Sequence, residues 1–167
     1  SFDDRGLTEF GFDLLAEMET LGIVVDLAHV NRRGVDDALG ALRRPFVVSH
    51  SACRGLADFR RNLDDDQIRR IADAGGVVGI AAGRSFLGGD GLDAFLDHVE
   101  HARRVGGADA VALGSDWDGG ITPVRGLEDV RGLPSVTQGL LARGWSDEDV
   151  RRLLGENALR VVTEVCG

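Results

Sequence analysis

Two histidines and an aspartate close three short apolar runs. GIVVDLAH ends at His29, PFVVSH ends at His50, and AVALGSD ends at Asp116. The first two runs are rich in β-branched residues, and each follows a helix-like stretch. A parallel-sheet protein presents imidazoles this way, at the carboxyl ends of neighbouring strands. That rim is where α/β barrels keep their chemistry. The separation of 21 positions from His29 to His50 suits one helix plus one strand, which places the two imidazoles on adjacent strands. Neutral imidazoles so placed can share a metal ion, and they suit Zn²⁺ at ~2.0–2.1 Å. The alternative is a pair of hydrogen-bonded histidines with no metal role.

Helix and strand patterns alternate along the chain to hold these residues. Thr8 is placed to cap a helix whose apolar residues are Phe10, Leu14, Met18 and Leu21, ended by Gly22. The run to His29 is then a first strand, with Val25 and Leu27 on the face of His29. A helix from about Asn31 puts Val35, Ala38, Leu39 and Leu42 on one side. Pro45 opens a second strand, in which His50 shares a face with Val48 and Phe46. A polar, irregular segment, SACRGLADFRRN, comes next. Asp64 and Gln67 have capping-box spacing ahead of Ile68 and Ile71. Gly75 and Gly76 end that helix, GVVGIAA is a third strand, and GRSFLGGDG reads as a loop. Leu92, Phe95, Leu96 and Val99 mark a further helix, and AVALGSD is the fourth strand. Pro134 sits at the start of another helix, and Ser146 with Asp149 caps one more. Four near-continuously apolar strands separated by helices predict an α/β fold with a buried parallel sheet and right-handed crossovers. The chain reads as a single domain over residues 1–167.

Composition narrows the function classes. The net charge is −9, every basic side chain is arginine, and no long basic stretch exists. A nucleic-acid backbone binder needs a basic face, so that class is set aside. No apolar run reaches the ~20 residues of a membrane span. The first residues lack the pattern of a signal peptide, and the last lack a lipid-anchor tail, so a cytoplasmic location is expected. Cys53 and Cys166 fit no metal spacing and predict no disulfide framework.

Other candidates carry less. His98 and His101 are three residues apart on one helix, a spacing that can bind metal, but they read as a solvated outer face. Ser49, His50 and Ser51 invite a serine-hydrolase reading. Adjacent strand residues point to opposite faces, which opposes a Ser–His hydrogen bond. The glycines at 88–91 do not open a phosphate loop. Asp26 alternates away from His29 and is either a support to the site or purely structural.

Seven segments taken in order identify a resemblance. RGLTEFG, VDLAHV, SHSACRGL, RNL, GSDWDG, GLEDV and GENALRV together resemble the membrane dipeptidase (renal dipeptidase) family of zinc peptidases. The resemblance runs from Ser1 to nearly the last residue. It implies a (β/α)₈ TIM barrel with two zinc ions, of which this chain supplies the C-terminal half, four βα units. His29 and His50 would be ligands of the second zinc. Arg61 would hold the carboxylate of a dipeptide substrate, a task suited to its bidentate fork. Asp116 would handle the proton while a metal-bridging hydroxide attacks the peptide carbonyl, with Asp118 as the alternative. A surface ion pair is the other reading of Arg61. The family's first-zinc His-x-Asp pair, its bridging glutamate and a substrate-contacting histidine have no counterpart here. Two expectations follow. The parent protein is a zinc dipeptidase, or the chain is a catalytically silent half-barrel that serves as an interaction module. Four strands cannot close a barrel, so the chain alone is expected to be inactive and to self-associate, as a homodimer completing an eight-stranded sheet or as aggregate.

Overall fold

A computed structural model describes residues 5–167. Three of the apolar runs become strands: β1 (Val47–Ser51), β2 (Val77–Ala81) and β3 (Val111–Ser115). They form one parallel sheet in the order β1-β2-β3. Val47 pairs with Val77 and Val78 with Val111, and the register slips near the carboxyl ends, between Val48 and Ser51 and again after Ile80.

The run expected as a further strand, Gly22 to His29, is reduced to a single rung. Asp26 bridges Val47 in parallel, with Leu27 N–H donating to Val47 O at 2.9 Å and Val47 N–H to Val25 O at 3.0 Å. The Asp26 carboxylate captures the Ala28 amide at 2.9 Å, and this local turn ends the pairing. The sheet therefore has three full strands and a rudimentary fourth beside β1.

Local signals set the helices. Thr8 caps α1 (Glu9–Thr20) through Gly11 N–H, and Asn31 caps α2 (Arg32–Ala41) through Gly34 N–H. Asp64 and Gln67 form a reciprocal capping box on α3 (Asp65–Asp73). The segment expected as a loop holds a one-turn helix, α4 (Arg84–Leu87), closed by Gly88 at φ 63°. The long α5 spans Leu92–Gly106, and α6 (Leu133–Ala142) carries Pro134 in its first turn. Ser146 caps α7 (Asp147–Arg151), and a wide turn over Arg152–Glu156 leads into α8 (Asn157–Cys166).

Each sheet face has its own cover. Phe46, Val48, Val78, Ile80 and Val111 share a core with Ile68 and Ile71 of α3 and with Phe95, Leu96 and Val99 of α5. Val77 and Ala112 pack instead with Val161 and Val165 of α8. Arg160 pins α8 by donating to Gly75 O, and Asn157 Nδ2 donates to Ala108 O and Val111 O. The strands also approach one another closely below the site. A Cβ on Gly79 would stand 2.1 Å from Ser49 O, and one on Gly114 would stand 2.5 Å from it.

Two expected faces come out differently. On α1, Phe10 and Leu14 are exposed, as is Leu21 just beyond it, and Leu15 is the buried residue. On α5, His98 and His101 are buried rather than solvated, because α5 is flanked by both α3 and α6. No helix among the described residues is long and apolar enough to cross a membrane.

Candidate metal and substrate site

Among the described residues, His29 and Asp116 are the two non-glycine positions with a left-handed backbone, at φ 68° and 66°. Such conformations cost a non-glycine residue free energy and cluster at functional sites. Each follows directly on a segment that the sheet fixes. The turn at His29 swings its ring toward β1, and Nε2 of His29 lies 2.9 Å from Nε2 of His50. The rings meet edge to face, with centroids 4.9 Å apart.

Two neighbours set this pair. Ser49 Oγ is 2.9 Å from His50 Nδ1, a contact the strand alternation argued against. The contact falls where the β1 register shifts, between Val48 and Ser51. The serine sits on Nδ1, the far side of the ring from His29, so it orients the imidazole. With Nδ1–H donating to Ser49 Oγ, His50 presents a lone pair at Nε2. Asp26 provides the second restraint, because its Oδ1 accepts from Ala28 N–H at 2.9 Å and from Ser49 N–H at 3.0 Å. One carboxylate oxygen thus ties the His29 turn to the residue beside His50.

Burial lowers the pKa of His50. Asp116 opposes the shift, and Arg61 and His29 add to it. The neutral, ligating form is therefore favoured at pH 7. Two ligands of one tetrahedral ion stand about 3.3 Å apart, so the observed nitrogen separation needs only a small opening to admit a metal. Among the described residues, no group of three or more His, Cys, Asp or Glu side chains is arranged to hold a metal. The pair fits two positions of a coordination sphere.

Arg61 stands on a loop folded back on itself. Arg54 N–H donates to Leu63 O at 2.8 Å, Leu63 N–H donates to Ala52 O at 3.0 Å, and Ser51 Oγ donates to Arg61 O at 2.8 Å. Buried Asn62 bonds Ala57 O and Phe86 O, which docks the loop on α4. The Arg61 guanidinium lies over the Phe86 ring at 5.0 Å. One of its terminal nitrogens is buried without a hydrogen-bond partner, and Arg61 joins no ion pair among the described residues. The surface ion-pair reading of Arg61 is thereby replaced by an unsatisfied donor. Burial lowers the Arg61 pKa, and Asp116 is the group that raises it.

Asp116 follows β3 directly. Its main-chain carbonyl accepts from Gly119 N–H at 3.0 Å, and a Cβ on Gly119 would stand 1.9 Å from Asp116 Oδ1. Glycine at 119 leaves the carboxylate its space. Trp117 Nε1–H donates to Leu127 O at 2.9 Å and fastens the loop beyond. Asp118 lies exposed on that loop.

Direct contact thus joins His29 and His50, while Arg61 and Asp116 act on His50 through space. His98 and His101 belong elsewhere. His98 Nδ1 accepts from Cys53 N–H at 3.0 Å and its Nε2 faces Leu87 O at 3.2 Å, and His101 pairs with Asp65 at 2.7 Å. Both cysteines are free, and burial pushes the Cys53 thiol up to about 12. Sequence reasoning missed the strapping role of Asp26, the orienting role of Ser49 and the ring of Phe86 under Arg61. The available signal for Asp26 was its place one residue before Leu27 in a run otherwise apolar.

Known proteins resemble this chain in sequence and fold. The family model for membrane dipeptidases (peptidase family M19) matches residues 1–166. An uncharacterised dipeptidase of Schizosaccharomyces pombe is 37% identical over 164 residues, which is 95% of this chain and 39% of that protein. The solved metallopeptidase named dipeptidase AC superposes with a TM-score of 0.92 at 35% identity, over 98% of this chain and 50% of that one. A metallopeptidase from Rhodobacter sphaeroides, solved with a phosphinate mimic of the dipeptide L-Ala-D-Ala, superposes with a TM-score of 0.91 at 34% identity, over 96% and 48%. The chain spans half or less of each of these relatives. Its α/β fold is a partial barrel of their type, and the chain belongs to the membrane dipeptidase family, peptidase family M19.

Proposed function

We propose that this chain forms part of the active site of a zinc-dependent dipeptidase, one that cleaves dipeptides with a free α-carboxylate. The observation that carries the reading is the buried, unpartnered nitrogen of Arg61, held near the facing imidazoles of His29 and His50. An unsatisfied guanidinium donor is costly to bury without a ligand. A carboxylate would satisfy it through two parallel hydrogen bonds. Arg61 anchors the substrate's C-terminal carboxylate and so sets which peptide bond lies in front of the histidines. His29 and His50 would hold one ion between their Nε2 atoms. Such an ion, when bound, supplies Lewis acidity to the peptide carbonyl and to the attacking water. Asp116 accepts the proton released in the attack at its carboxylate and passes it to the leaving amine. The names of the relatives, dipeptidases and metallopeptidases, support the same reaction class.

The left-handed backbone at His29 and Asp116 speaks against a silent module, because an unused site has no need to retain it. The remaining metal ligands of the family have no counterpart in this sequence, so the active unit is more than these residues. By itself the chain self-associates, through its open sheet edges and the exposed apolar residues of α1 and α8.

The test is a comparison of a dipeptide with its C-terminal amide in the complete protein. Arg61→Lys should raise KM for the dipeptide about tenfold or more, with little change in folding stability, because lysine keeps the charge and loses the planar fork. The amide should be a poor substrate for both proteins. Equal turnover of dipeptide and amide by the unaltered protein would remove Arg61 from the carboxylate role.

A further inference from the structure

His98 lies outside the site described above, on the buried face of α5, and is 1% exposed. An imidazole is costly to bury unless its ring nitrogens are bonded. Here both are. Nδ1 accepts from Cys53 N–H at 3.0 Å, so Nε2 carries the proton and donates to Leu87 O at 3.2 Å. The Cys53 thiol adds a further tie by donating to the main-chain oxygen of His98, with sulfur and oxygen 3.4 Å apart. Burial lowers the pKa of the ring, which keeps the neutral form that makes both bonds present at pH 7.

The two partners of this ring belong to the two supports of Arg61. Cys53 bridges Leu63 in parallel, and Leu63 lies two residues after Arg61, so Cys53 is part of the base of the loop that carries the arginine. Leu87 follows Phe86, whose ring lies under the guanidinium at 5.0 Å. His98 thus links the main chain beneath Arg61 to the floor on which its charged end rests. Asn62 joins the same two bodies directly, with Nδ2 donating to Phe86 O at 2.7 Å. One attachment leaves two bodies free to turn about it, and a second fixes their angle. We propose that His98 is a positioning residue for the dipeptidase reaction, one that sets the aim of the Arg61 guanidinium and acts through it on the substrate's carboxylate. This rests on the reading of Arg61 as the α-carboxylate anchor. A misplacement of about 1 Å at such an anchor can cost about 10²-fold in rate, so a remote support can govern it.

Steady-state kinetics on Ala-Ala and on its C-terminal amide, with the complete protein, tests the proposal. Both substrates present the same peptide bond, and only the first offers Arg61 a carboxylate. The ratio of their kcat/KM values therefore reports the anchor, whereas a variant that merely loses folded protein lowers both alike. His98→Leu keeps the bulk and removes both ring bonds. It should lower the ratio about tenfold, through KM for Ala-Ala, with the amide little changed. His98→Gln, which can accept and donate, should keep most of the ratio. Added to Arg61→Lys, His98→Leu should lower the ratio less than about twofold further, because residues that act through one contact are not additive. If His98→Leu does not fold, His98→Asn takes its place, since its amide can serve the Cys53 N–H and falls short of Leu87 O; the expected fall is then about threefold. An unchanged ratio in the folded variant overturns this proposal alone, as does an undiminished fall on the Arg61→Lys background. Equal turnover of Ala-Ala and its amide by the unaltered protein overturns the anchor reading, and this proposal with it.

Discussion

Replacing His29 or His50 by alanine deletes a donor that no other side chain among the described residues is placed to supply. The proposed role of Asp116 is different, and one experiment separates the two classes. His29→Ala and His50→Ala should each lose bound zinc together with dipeptidase activity. Asp116→Asn should keep its metal and lose kcat by about 10²-fold or more, since an amide keeps the shape and cannot accept the proton. Metal analysis beside steady-state kinetics reads both, and full zinc with normal turnover in either histidine variant would remove the ligand assignment. That these residues close apolar runs, and that the two imidazoles come together, was legible without coordinates. Their supports were not. Ser49 meets His50 where the strand slips register, and a register slip leaves no mark in the order of residues. Arg61 was singled out by resemblance alone, and the ring beneath it comes from a helix that reads as a loop.

At the scale of elements, the caps were the legible part because a cap is a contact within four residues. Thr8, Asn31, Asp64 with Gln67, and Ser146 all cap where their types and spacing place them. Faces depend on what lies opposite, and there the reading failed for α1 and α5. His98 on α5 shows the consequence. It is 1% exposed, and it joins three segments by accepting from Cys53 N–H and facing Leu87 O. Burial lowers its pKa, the Leu87 carbonyl opposes this, nearby His101 adds to the lowering and Asp97 resists it. The unfolded chain takes up a proton at His98 near pH 6.5, whereas the folded chain does not until a lower pH. The stability that neutral His98 supplies is therefore present above about pH 6.5 and is lost as pH falls below it. Glutamine can accept and donate in the same places and does not titrate. Urea unfolding at pH 7.5 and 5.5 should show a larger loss on acidification for the unaltered chain than for His98→Gln. His98→Ala should cost about 1–3 kcal/mol at either pH, because the Cys53 amide is left unpaired. Equal acid sensitivity of the unaltered chain and the glutamine variant would show that His98 titrates normally.

The molecule as a whole is unfinished at its surface. Phe10, Leu21 and Leu159 are 73%, 62% and 63% exposed, on two helices and the turn between one of them and the sheet. Among the described residues no further strand pairs with the rung at Asp26 or with β3, so both sheet edges are open. Exposed apolar residues and open edges together favour association. Light scattering of the isolated chain should find dimers or larger species whose population rises with concentration, and added zinc should not confer dipeptidase activity. A monodisperse monomer that turns over a dipeptide would contradict both expectations. The fold class was legible from strand and helix alternation, since parallel strands need crossover helices. The extent of the first strand was not, because a run's length in sequence does not say where a side chain will break its pairing.

The two hydrogen bonds that Asp26 accepts from the Ala28 and Ser49 amides have a thermodynamic meaning. They fix the distance between the two histidine-bearing segments as a property of the fold. Ordering those segments is then part of folding, and a ligand arriving between the rings meets a cost already met. Loss of that carboxylate would leave both imidazoles in place and still weaken binding, through entropy alone. The aspartate that touches no ligand is in this sense the residue that prepares the site for one.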